Sequence, residues 1–327
     1  MSARYFLDLL CLSMVSVIPQ AMGQNVAAGP VGGPALGFVY DAPAMKLRSL
    51  LGIPGASFMG APLDLGVDLS KAWISPLQDF ALAAISNQPS LAIVRLGRDP
   101  LKLIPIDGLD PAPDLVALSP RGSSAIFYYA AANRFQIVSG LPDSVSLQAS
   151  IDASQLPAKP TVLAIADDAA SILAGVKSDG GGAVYLIAAG SVSQAYAGGA
   201  IAALAFAPNS QNAVLADSTN NRIYAVANAV TSPLAGPSDG ISSPIALVWN
   251  GARIFVANSG MPSVTILAGA QSVTVPCTCA PSGLYPLSGQ SVFRLTELSD
   301  EPISVLDGNR PDPRIVLIPA ESGRTVR

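Results

Sequence analysis

Residues 214–226 read Val214-Leu215-Ala216-Asp217-Ser218-Thr219-Asn220-Asn221-Arg222-Ile223-Tyr224-Ala225-Val226. Two short apolar runs flank a polar Ser-Thr-Asn-Asn turn, the pattern of a hairpin whose strands are covered on both faces. Working outward, Ala205-Phe206-Ala207-Pro208 closes an apolar run before the hairpin, and residues 231–235 supply another run after it. The stretch therefore predicts a unit of four strands, the last three over 212–217, 222–227 and 231–235.

The same plan recurs. A short apolar run followed by a turn appears as Trp73-Ile74-Ser75-Pro76, Ala117-Leu118-Ser119-Pro120, Ala164-Ile165-Ala166-Asp167, Ala205-Phe206-Ala207-Pro208, Leu247-Val248-Trp249-Asn250 and Tyr285-Pro286-Leu287-Ser288. The last residues of these six are spaced by 44, 47, 41, 42 and 38 positions. A period near 42 is the size of a four-stranded propeller blade. In the third unit the expected strands after the turn are 124–130, 134–139 and 144–149; in the sixth they are 252–258, 263–267 and 272–275.

One period before Pro76, residues 36–42, 46–53 and 57–63 reproduce the second, third and fourth strands of a unit. No innermost strand is evident there, because residues 24–34 are rich in Gly, Ala and Pro. This first unit is either three-stranded or completed from elsewhere, for instance by residues 321–327. The expected fold is all-β: a seven-bladed propeller over 34–320 with six full units and one incomplete N-terminal unit. Its competitor is a six-bladed ring with an N-terminal appendage.

The stretch 214–226 resembles the NHL repeat, in which a strand ending in Ala-Asp is followed by a small polar turn, Asn-Arg-Ile and the next strand. Ile254-Phe255-Val256-Ala257-Asn258-Ser259-Gly260 with Ser263-Val264-Thr265-Ile266-Leu267 is similar to the related YVTN repeat of exported bacterial propellers. The resemblance implies architecture rather than activity. Asp217 and Arg222 flank the hairpin turn and are expected to act as a structural pair that fixes it.

The first 23 residues read as an export signal: Arg4 supplies the positive end, residues 6–19 are mostly apolar, and Ala21-Met22-Gly23 is a small-residue cleavage site. Cleavage is expected between Gly23 and Gln24, followed by a flexible segment over 24–33 and a C-terminal tail over 321–327. An uncleaved N-terminal anchor is the alternative. No other segment is long and apolar enough to span a membrane as a helix. Cys11 leaves with the signal, so Cys277 and Cys279 form an even pair, either a small local disulfide or two thiols.

The chain has 29 glycines and 28 prolines among 327 residues, which excludes long helices, and a net charge of -4, which offers no footprint for nucleic acid. A mean hydropathy of +0.46 raises an outer-membrane barrel, but these runs are too short, too evenly apolar and too regularly grouped in fours. Histidine is absent, which removes the commonest general base and most zinc sites.

Gly236-Pro237-Ser238-Asp239-Gly240 matches the Gly-x-Ser-x-Gly string of serine hydrolases, but it joins two strand units and has no histidine to work with, so it reads as an inter-blade loop. Gly180-Gly181-Gly182 reads as a hairpin tip. Asp217-x-Thr219-x-Asn221 partly matches a calcium loop without its glycine and distal glutamate. Asp110, Asp167, Asp168 and Asp217 are the carboxylates that a ring fold might bring together. Trp73 and Trp249 fall on first strands, where they either pack between blades or form an aromatic platform at the channel.

These observations lead to an exported, secreted or periplasmic, monomeric propeller that binds or scaffolds a protein or small-molecule partner, with no catalytic residue, cofactor or metal assigned. The alternative is a metal-dependent propeller lactonase or hydrolase using Asp and Asn in the central channel. Propeller enzymes of that kind commonly use histidine, and this chain has none.

Overall fold

Each of the six recurring turns is closed by a backbone hydrogen bond from an N–H at its start to a carbonyl at its end, five residues on in five turns and three residues on in the sixth. The pairs are Ser75 to Phe80, Ser119 to Ser124, Ala166 to Ser171, Ala207 to Asn212, Asn250 to Arg253 and Leu287 to Val292. The spacing seen in the sequence thus marks one repeated position in space. The computed structural model describes residues 33–320 except Asp99, Ala149 and Asp179. The expected signal, the Gly23–Gln24 cleavage site, most of the 24–33 segment and the 321–327 tail lie outside the described residues.

Seven antiparallel sheets follow one another along the chain. Blade one is three-stranded, Ala35–Asp41, Lys46–Ile53 and Ala56–Pro62. Blades two, four, five, six and seven are four-stranded meanders. Blade three replaces the single expected outer strand with two short pieces, Ser146–Leu147 and Ile151–Asp152, which pair with opposite ends of Arg134–Ser139. Between them the Gln148 N–H still reaches the Ile137 carbonyl at 2.7 Å, so the edge bulges rather than detaches.

Side-chain alternation explains why the strands lack a polar face. In the second strand of blade three, Ser124–Tyr129, Ala125, Phe127 and Tyr129 pack with Phe80, Leu82 and Ile93 of blade two. Ile126 and Tyr128 point the other way, onto Leu163, Ile165 and Ile172 of blade four. Both faces of such a strand are buried, and both must be apolar.

Seven apolar clusters join successive blades in this way, and the last closes the circle: Leu36, Val39 and Leu50 of blade one pack with Leu287, Val292 and Val305 of blade seven. On its other side Leu47 of blade one packs with Leu69, Ala81 and Val94 of blade two. Blade one is therefore a full member of a seven-bladed ring, and the six-bladed ring with an appendage is set aside.

Blade one contributes no inner strand among the described residues. Its exposed inner edge is capped instead by neighbours: the Ser288 N–H of blade seven reaches the Leu36 carbonyl at 2.7 Å, and the Gln78 side chain of blade two accepts the Phe38 N–H at 2.6 Å. The other end of the Gln78 amide donates to the Pro286 carbonyl at 2.6 Å. One carboxamide thus ties blades one, two and seven together.

Candidate functional site

Because each blade runs from its inner strand outward, the turns between first and second strands share one face of the ring. The inter-blade crossings and the hairpins between second and third strands share the other. We call these the upper and lower faces.

At the upper face the ends of the inner strands converge on a cavity of 150 Å³, with walls from Leu118, Leu163, Leu204 and Leu247 and a rim from Pro76, Pro120 and Pro286. Six blades contribute to it, which places it on the ring axis. None of its described lining residues carries a charge. Trp249 forms part of this wall while packing against the core between blades five and six. Trp73 packs between blades two and three and lines a separate cavity of 360 Å³ beside Phe38, Tyr40 and Tyr285, so the two tryptophans do not form a shared platform.

The polar residues of the upper face are spent on each other. Asp167 accepts the Arg121 N–H of blade three and the Asn209 N–H of blade five, both at 2.8 Å, and its carbonyl accepts the Ser123 and Ser124 hydroxyls. Asp168 accepts the Gln211 amide at 2.5 Å. Between blades six and seven, Asn250 donates to the Gln290 carbonyl and the Ser291 hydroxyl. These bonds link the turns of blades three, four and five, and those of blades six and seven, beside the channel mouth.

Asp217 lies on the opposite face, fully buried. Its oxygens accept from the Tyr196 hydroxyl at 2.6 Å, the Gly199 N–H at 2.7 Å, and the Asn220 N–H and side-chain amide at 2.9 and 2.7 Å. Burial alone would raise this carboxyl, but the hydrogen bonds outweigh it and hold the group below the usual carboxylate range. Tyr196 is shifted upward, by burial first and by its bond to Asp217 next.

Arg222 faces Asp217 in the strand register but is exposed, and no ion pair joins the two among the described residues. The partner that fixes the turn with Asp217 is Asn220, not Arg222, because the carboxylate turns inward toward the crossing from blade four. Thr219 accepts the Ala200 N–H, and Asn221 accepts the Ser243 N–H. The three oxygens that suggested a calcium loop are thus each taken by a backbone N–H of an inter-blade crossing.

Asn258 ends the second strand of blade six where Asp217 ends that of blade five. It too is buried and holds its crossing, through Ser242 and Gly240. The sequence carries a signal for it in the match of Ala257-Asn258 to Ala216-Asp217.

The four candidate carboxylates do not converge. Asp167 and Asp168 are on the upper face, Asp217 and Asp110 on the lower, and Asp110 is engaged by Arg134. Gly236–Gly240 is the inter-blade loop between blades five and six, with a single turn of 3-10 helix, Pro237–Asp239, and an exposed Ser238. Gly181 and Gly182 open the third strand of blade four as a hairpin tip. Cys277 and Cys279, on the crossing from blade six to seven, are joined as a disulfide with Cα atoms 5.0 Å apart. No group of three or more His, Cys, Asp or Glu side chains suited to hold a metal ion occurs among the described residues. No helix among them is long and apolar enough to cross a membrane.

No protein-family model and no curated protein matches the chain. Solved structures match it as a fold. A functionally unknown protein from Desulfotomaculum acetoxidans is 13% identical, with 88% of this chain and 100% of that one covered, at a TM-score of 0.59. A catalytically inactive variant of virginiamycin B lyase from Staphylococcus aureus, with quinupristin, is 11% identical over 77% of this chain and 84% of that one, at 0.53. The selenomethionine form of the same lyase is 12% identical over 76% and 83%, at 0.52. At these identities the likeness shows the propeller and nothing about activity.

Proposed function

We propose that the chain is an exported, non-catalytic propeller whose upper face and apolar channel mouth present a contact surface to a protein or small-molecule partner. One observation carries this reading: the cavity at the channel mouth is lined only by uncharged described residues, while the nearby carboxylates of Asp167 and Asp168 are already bonded to neighbouring turns. A preformed apolar concavity with few polar groups favours binding.

The lyase in the comparison is inactivated by a histidine-to-alanine change, and this chain has no histidine with which to supply an equivalent group. A lactonase or hydrolase working through Asp, Asn and a metal in the channel would need those residues among the lining, where leucine and proline stand instead. The NHL-like and YVTN-like stretches support an exported binding propeller, as do the signal-like first 23 residues and the Cys277–Cys279 pair.

The test uses the mature protein purified from its native envelope. Species that co-purify are identified by mass spectrometry, and lactone and ester hydrolysis are assayed with and without calcium, magnesium and zinc. A stoichiometric partner lost on Leu204→Asp, with hydrolysis at the buffer rate, is the expected result. Metal-dependent turnover would overturn the reading.

A further inference from the structure

A cleft of 590 Å³ opens on the lower face between blades two and three, away from the channel mouth. Its size falls within the range of small-molecule sites. The chain builds it from three pieces: the start of the inner strand Leu69–Ile74, the hairpin after Phe80–Ile85, and the crossing that leads into blade three.

Trp73 forms one wall. It is half-buried against the core between the two blades, yet its indole N–H has no acceptor among the described residues and is not sealed from solvent. Pro89, Pro111 and Pro113 also line the cleft; their rings fix the backbone and offer apolar surface without a donor. The walls are therefore stiff before any ligand arrives, which lowers the ordering cost of binding.

Two of the polar side chains, Lys71 and Trp73, can only donate. Lys71 is exposed on the rim and has no carboxylate within ion-pair distance among the described residues. The Asn87 and Gln88 side-chain amides line the same cleft and make no hydrogen bond there to described residues. The one carboxylate, Asp114, accepts the Ala130 N–H at 2.7 Å. The unpaired Lys71 ammonium and the Trp73 indole N–H, with two carboxamides that can also donate, stand beside apolar walls, and the complement to the unpaired positive charge is an anion carried on a flat apolar body.

We infer that this cleft binds a small apolar carboxylate, with the carboxylate on Lys71 and the hydrocarbon or aryl body between Trp73 and the prolines. The site is separate from the upper face, so it stands whether or not the channel mouth holds a partner.

The probes are 3-phenylpropionate and its neutral isostere 3-phenylpropionamide, titrated calorimetrically into the wild-type protein and into Lys71→Gln. Lys71 is exposed, so the variant folds, and circular dichroism verifies it. Saturable binding of the acid is expected, weakened about tenfold in Lys71→Gln as a charge-assisted contact is lost. The amide should bind wild type about as weakly as the acid binds the variant, and the variant should no longer distinguish the two. The inference fails if the acid gives no saturable binding, if acid and amide bind wild type equally, or if Lys71→Gln leaves acid affinity unchanged. None of these outcomes bears on the partner test for the upper face.

Discussion

Gln78 Oε1 accepts the Phe38 N–H at 2.6 Å, where the six other blades have an inner strand. Phe38 lies in the first described strand of the ring, and Gln78 in the turn after the inner strand of the next blade. With Nε2 on the Pro286 carbonyl, the amide spans the inner edge of blade one, where the described residues supply no strand. An unpaired strand edge at this place would leave buried backbone groups without partners, which is costly. A single side chain removes part of that cost.

Replacing Gln78 should therefore weaken ring closure more than its one side chain implies. Gln78→Ala leaves the Phe38 N–H and Pro286 carbonyl unpaired and should destabilise the protein by about 2–3 kcal/mol. Gln78→Glu keeps an acceptor for Phe38 but sets a buried carboxylate oxygen against the Pro286 carbonyl, so it should be at least as destabilised as Gln78→Ala. Urea denaturation of the three proteins checks the order.

Asp217 makes a different prediction, one that depends on pH. Its folded pKa is depressed, so its contribution is present above the unfolded carboxyl value near ~3.9 and is lost as pH falls through the lower folded value. Asp217→Asn should unfold at lower urea than wild type at pH 7, by about 2 kcal/mol. The gap should narrow as pH drops below about 4. A gap that stayed constant across the acid range would assign the effect to shape rather than charge.

Much of this was legible in the sequence, and the reason is physical. Strands such as Ser124–Tyr129, Ala213–Asp217 and Ile254–Asn258 are buried along their whole length, so each is an apolar run with a single polar residue at one end, bounded by turn residues. The blade-three edge was not legible, because an outer strand at the surface can bulge without losing core contacts. Gln78 carries no local signal: its role depends on the inner edge of another blade, which no strand of the described residues covers, and on a carbonyl 208 residues away. Asp217 showed as a turn residue, but its partners at Tyr196 and Gly199 belong to the preceding blade and its crossing, beyond the hairpin that local reading could see. The cleft around Lys71 escaped for a similar reason, since three separate segments meet there.

The Gly-x-Ser-x-Gly string gives a sharp contrast between turn and nucleophile. Gly240 has a positive φ of 88°, and a Cβ there would overlap the Thr274 hydroxyl. Gly240→Ala should destabilise by at least about 1 kcal/mol, seen as a lower melting temperature. Ser238 is exposed and should tolerate Ala within about 0.5 kcal/mol. Loss of an esterase activity in Ser238→Ala would contradict the loop assignment.

The Cys277–Cys279 link closes a very short loop, so the chain entropy it removes from the unfolded state is small. For so few residues the loop-closure relation gives about 1.5 kcal/mol, against roughly 3 kcal/mol for a 15-residue loop. The Cys277→Ser/Cys279→Ser variant should therefore fold and melt only slightly below wild type. Both residues lie against the core between blades six and seven, and Cys277 donates its N–H to the Pro262 carbonyl at 2.9 Å, so the crossing is held by packing and backbone bonding as well. Alkylation before and after reduction, read by mass spectrometry on protein from the native envelope, should label these sulfurs only after reduction. The same spectrum should show a mature chain beginning at Gln24. A fully alkylated, unprocessed chain would argue against both the oxidised pair and the export on which it depends.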